Sequence, residues 1–271
     1  MAVFGFGCFS TKQPLSAVQE AVKSVYLEEA TKTPLAAQIT FRTNRLQGLI
    51  GDFPEERFLY ADTMEALSLL ALVVSDAERL EIYQKGKEIG RQCLRLNGAW
   101  VVMEDLAGGR INSQALRRLD EPDLPCARGL LIHWVRWVEA QGISGRIDLR
   151  AMGYLSDRVN ELVGDNLTWR DHWTMGMLAG LSAPSEENRN QAEFHFQQAV
   201  ALAPGLATPA IDRLAAQINQ EVYSDVTREG LRQLGSGDYA VHPGSPWAAQ
   251  NQHALKRAIE LLAQLRDIKN E

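Results

Sequence analysis

The stretch QAEFHFQQAVALAP, Gln191 to Pro204, decides how this chain is read. Ala192, Phe196 and Ala199 recur at four and three residues, so they share one face of a helix, while Phe194 and His195 fall off that seam. Small residues at 192 and 199 let a neighbouring helix approach closely, Phe196 fills the groove between them, and Pro204 stops the helix. A partner lies upstream in WRDHWTMGMLAG, where Trp173, Gly176, Met177 and Gly180 fall on one face. A helix pair with such seams buries its apolar face by stacking on further pairs.

Working outward, HWVRWVE at His133–Glu139 reads as the partner element one repeat earlier. Trp134 and Trp137, at i and i+3, share a face that Val138 extends, whereas His133 and Arg136 point elsewhere. Trp134 and Trp173 lie 39 residues apart, longer than a repeat of about 34 residues. Large aromatics dominate cores, and a concave helical array can also line a cavity with them. The candidate ligand-binding residues are therefore Trp134, Trp137, Trp169, Trp173 and Met175. Trp134 and Trp173 are read as the packing pair, Trp137 and Trp169 as cavity residues, and Met175 as an adaptable neighbour. Leu130, Trp134, Trp137 and Val138 form a stripe of little polarity, expected on the concave face.

Helical periodicity extends over the whole chain and predicts an all-α fold, a tetratricopeptide-like helical-repeat superhelix. Helices are expected over 15–30, 35–50, 54–74, 77–96, 113–119, 126–141, 149–163, 168–181, 186–203, 208–223, 226–234 and 248–268. Asp76 and Asp148 serve as N-caps in this reading, while Asn97-Gly98, Gly164-Asp165-Asn166 and Pro204-Gly205 end helices. Residues 235–246, rich in Gly, Ser and Pro, form the long polar loop expected to act as a lid or contact loop. No linker separates two cores, so residues 14–271 are read as one domain, preceded at 1–13 by a signal-peptide remnant or flexible N-terminus.

A chain of 271 residues with 45% hydrophobic content carries enough apolar side chains for a packed core. Its net charge of −6 argues against nucleic acid as a partner, which calls for a basic patch. Cys8, Cys93 and Cys126 are odd in number and lack C-x-x-C spacing, so neither a disulfide framework nor a zinc site is suggested. No apolar run approaches the roughly 20 residues of a bilayer crossing. The apolar, glycine-rich start ends in Gly7-Cys8 and then turns polar, the pattern of a lipidated cysteine, with Cys8 as the acceptor and an apolar segment expected upstream of Met1.

Catalytic chemistry needs convergent groups, and none is legible. The histidines at 133, 172, 195, 242 and 253 show no H-E-x-x-H pattern, and there is no G-x-S-x-G elbow or phosphate-cradling G-x-x-x-x-G-K-[ST] loop. Glu28-Glu29 and Glu186-Glu187 read as solvated helix surface. The chain is expected to be no enzyme, with no metal and no cofactor.

Taken in order, several segments resemble the T component (TatT family) of tripartite ATP-independent periplasmic (TRAP) transporters. They are Gly7-Cys8, the helix ending EIYQKGKEIGR at 81–91, Asp123-Leu124-Pro125 before LLIHW at 130–134, QAEFHF at 191–196, and the closing helix ALKRAIELL at 254–262. The resemblance runs from about Gly51 to Arg266. It implies a periplasmic lipoprotein, oligomeric as a trimer and tethered to the membrane, that docks the transporter's solute-binding protein and handles an apolar or organic-acid ligand in a cavity. A cytoplasmic tetratricopeptide scaffold that holds a partner peptide in its concave groove is the competing expectation.

Overall fold

The computed structural model describes residues 16–29, 35–108, 110–142, 149–220, 224–236, 239 and 247–267. Cys8, Asp148 and most of the loop 235–246 lie outside them. Among the described residues the secondary structure is helical throughout, with no strand. The helices are α1 (Ala17–Glu29), α2 (Leu35–Asp52), α3 (Arg57–Val73), α4 (Asp76–Leu94), α5 (Gly98–Leu106), α6 (Ser113–Leu116), α7 (Leu124–Gln141), α8 (Leu149–Val163), α9 (Trp169–Leu181), α10 (Glu186–Leu202), α11 (Thr208–Asn219), α12 (Asp225–Gly235) and α13 (Ala248–Asp267).

Two boundaries differ from expectation for local chemical reasons. Asn97 begins a helix that periodicity does not predict, α5, with its side-chain oxygen accepting from the amides of Ala99 and Trp100 at 3.0 and 3.2 Å. An Asn-Gly pair can close one helix or open the next, and nine residues are too few for a periodic signal to decide between them. The cap of α4 is Ser75 and not Asp76: Ser75 and Glu78 form a reciprocal capping box, which places Asp76 inside the first turn.

The helices pair along the chain, α3 with α4, α7 with α8, α9 with α10 and α11 with α12. The first members pack successively, α3 on α7, α7 on α9 and α9 on α11, while each second member packs on the first helix of the next pair. The final helix breaks this order. α13 returns across the layer of first helices and packs on α12, α11 and α3. The largest core cluster runs from α3 to Ala216 of α11, and a smaller one joins α11, α12 and α13.

The seam between α4 and α7 shows how the sequence permits this packing. A Cβ added at Gly86 would lie 2.2 Å from the His133 ring, and one at Gly90 would lie 2.8 Å from the Leu130 Cβ. One turn further on, Cys93 and Cys126 form a disulfide with Cα atoms 5.6 Å apart. This corrects the reading that the cysteines suggest no disulfide. Their separation of 33 residues carries no spacing signal, and only the antiparallel crossing of α4 and α7 brings them together. The motif at 191–204 packs as its spacing requires, with Ala192, Phe196 and Ala199 buried. A Cβ at Gly176 would meet Phe196 at 3.0 Å, and one at Gly180 would meet Ala216 at 2.8 Å.

Candidate functional site

The helix carrying HWVRWVE is covered on almost every side. Leu130, Trp134 and Val138 are core residues, so the stripe expected on a concave face is packing between helices. His133, read as pointing elsewhere, is also fully buried: its Nε2 lies 2.8 Å from the Met64 carbonyl and 3.1 Å from Ser68 Oγ. A carbonyl only accepts, so Nε2 carries the hydrogen, while Nδ1 is buried without a hydrogen-bond partner, which suits the neutral ring. Burial holds the His133 pKa down at about 4, against the opposing pull of that hydrogen bond.

The structure does not gather the five predicted ligand residues around one cavity. Trp134 is buried, and Trp173 is buried with its Nε1 donating to Asp212 Oδ2 at 2.9 Å. Trp137 is half-buried beneath Lys87, whose Nζ stands 3.4 Å from the ring centroid. Trp169 is half-buried, edge-to-face with Trp247 at 6.0 Å and with the Arg170 guanidinium 5.0 Å away. Met175 lies on the α8 side, its sulfur accepting from Asn160 Nδ2 at 3.1 Å. The periodicity argument missed Trp247, because it enters through the turn before α13 and not through a repeat.

Behind the tryptophans lies a buried charge cluster with no signal in sequence spacing. Arg136 Nη2 donates to Asp212 Oδ2 at 2.6 Å and Nη1 to Glu139 Oε2 at 2.6 Å. Arg257 of α13 donates to Glu139 Oε1, with its Nη1 3.6 Å from Asp212 Oδ1. Burial alone would raise the Glu139 pKa, but Arg257 and Arg136 outweigh it and hold the carboxyl at about 2. Burial, followed by the charges of Arg136, Arg79 and Arg257, pushes His253 down to about 3. The cluster therefore joins α7, α11 and α13 as an ionic clamp, with two cations facing two anions.

Asp123, at the start of the Asp-x-Pro segment, also has a structural role. It is buried, accepts from Asn97 Nδ2 at 2.6 Å and faces Arg57 Nε at 3.3 Å. His172 and His195, read as scattered, meet across α9 and α10 with Nδ1 atoms 3.1 Å apart. Burial and the neighbouring His172 lower the His195 pKa to about 4. Among the described residues no third His, Cys, Asp or Glu joins them as a metal-ligating group.

Among the described residues two clefts between helices stand out, and none of the five predicted residues lines either. The smaller, about 10 Å³ beside the Arg128–Asp171 ion pair, has room for a single water. The larger, about 240 Å³, lies between the first half of α10 and the second half of α11. Ala192, Phe196 and Ala216 line its apolar part, and Arg189, Glu193, Arg213, Gln217 and Gln220 its polar part. No helix of the described chain is long and apolar enough to cross a membrane. Comparison with protein-family models and with curated proteins finds no match.

Proposed function

We propose that this chain is a non-enzymatic, lipid-anchored periplasmic accessory of a TRAP-type transporter, which docks the solute-binding protein and holds a small ligand. Its packed helix pairs are read as a tetratricopeptide-like superhelix assembling as a homotrimer. The cleft between α10 and α11 replaces the tryptophans as the ligand site.

The observation that carries this reading over a cytoplasmic scaffold is the Cys93–Cys126 disulfide. Disulfides persist in oxidising compartments such as the periplasm and are rare in the cytosol. The position of α13 supports the same choice. A peptide-binding scaffold needs its layer of first helices open, and here α13 lies on α3 and α11 and is clamped through Arg257 to Glu139 of α7.

The test is made in the native host. Intact cells expressing the gene are cross-linked and then denatured in a thiol-reactive probe with and without prior reduction, because both cysteines are buried in the fold, and the products are identified by mass spectrometry. The reading expects Cys93 and Cys126 to be labelled only after reduction, a lipid on the Cys8 peptide, and cross-links to a solute-binding protein. Free thiols at 93 and 126 with cross-links to cytosolic partners would support the scaffold instead.

A further inference from the structure

The polar groups of the α10–α11 cleft are unequally committed. Glu193 is saturated: Oε2 accepts from Arg213 Nε at 2.8 Å and Gln217 Nε2 at 3.4 Å, and Oε1 accepts from Gln197 Nε2 at 2.6 Å and pairs with Arg213 Nη2. Those four contacts use the roughly four lone-pair sites of a carboxylate. Gln217 Oε1 accepts from Thr227 Oγ1 at 2.9 Å, and Gln220 Nε2 donates to the Ala179 carbonyl at 3.1 Å. Arg189 differs. It is half-buried at the cleft wall, and its guanidinium has no hydrogen bond or ion pair to any described residue.

With Arg213 neutralised by Glu193, the cleft lining carries one uncompensated positive charge. Asn190 and Gln220 Oε1 add neutral polar groups to the lining, and its one unspent charged donor is the planar fork of Arg189. Such a fork matches a carboxylate bidentately, and Glu193 has no remaining acceptor for a ligand ammonium group. The volume of about 240 Å³ gives room for the body of a small molecule. Ala192, Phe196 and Ala216 offer apolar surface to its body.

From this arrangement we infer that the α10–α11 cleft binds a small monocarboxylate with a short apolar chain, anchored by Arg189. The inference rests on the ligand-handling reading above in taking this cleft as a ligand site, and it gives that ligand a chemical class.

Calorimetric titration of the purified chain with butyrate, succinate and butyramide tests it without any partner protein. Saturable binding of butyrate is expected, tighter than that of the dianion or the neutral amide. Arg189→Gln should weaken butyrate binding about 10- to 100-fold, the value of a charge-assisted hydrogen bond. Its thermal melt should stay at the wild-type position, because Arg189 has no described partner to lose. Absence of saturable butyrate binding, equal binding by Arg189→Gln, or a preference for succinate would each overturn the assignment. Failure of the cellular cross-linking with butyrate binding intact would count against the transporter reading alone.

Discussion

At Gly86 a single added methyl group tests the α4–α7 seam. The His133 ring lies where that methyl would go and is itself fully buried, so Gly86→Ala should destabilise the fold by about 3 kcal/mol, at the upper end for overpacking. Urea denaturation measures this, and a change below about 0.5 kcal/mol would show the seam to be slack. The same histidine links stability to pH. Its folded pKa of about 4 is depressed below the ordinary value of 6.5, so the unfolded chain takes up the proton first as pH falls. The stabilisation is complete above about pH 6.5 and is lost on acidification towards pH 4, on the order of 3 kcal/mol. His133→Gln should flatten that slope in denaturation curves across the range. His253 and His195 are depressed in the same direction and add to it.

Among the elements, α13 is held most distinctively, because its contact with α7 runs through buried charge. Arg257→Ala would leave Glu139 short of one of its two cations, and breaking a buried pair this way costs about 3–5 kcal/mol. Hydrogen exchange should then show α13 opening ahead of α7 and α9, and uniform protection across all three would argue against the clamp. The helix α5 hangs on its cap. Asn97→Ala removes the bonds to Ala99 and Trp100 together with the Asp123 contact, with an expected loss of about 2 kcal/mol in thermal denaturation.

On the scale of the whole molecule, the disulfide ties the first half of the helical stack together. A loop of 33 residues closed by a disulfide restricts the unfolded chain by about 3–4 kcal/mol. Reduction, or the double variant Cys93→Ala/Cys126→Ala, should lower the unfolding free energy by that amount, and the denaturation midpoint with it, while helical circular dichroism persists. An unchanged midpoint would mean that the α4–α7 crossing needs no covalent support.

Much of the architecture was legible in the residues themselves. The all-α class, most helix spans, and the buried face of Ala192, Phe196 and Ala199 follow from apolar periodicity, a property of the chain at short range. The glycine positions in EIYQKGKEIGR were visible without their reason, which is the ring of His133 against Gly86, 47 residues away, and Leu130 against Gly90. The candidate site was far less legible. Trp134 and Trp173 are buried as a packing pair should be, but for Trp137 and Trp169 composition cannot distinguish a face lining a cavity from one covered by another part of the chain. The ionic clamp, the Cys93–Cys126 bond and the uncompensated Arg189 arise from side chains that meet across helix crossings. Local spacing specified the helices, and tertiary packing decided which charges met a partner, because Coulombic and covalent pairing depend on distance in space and not on separation along the chain.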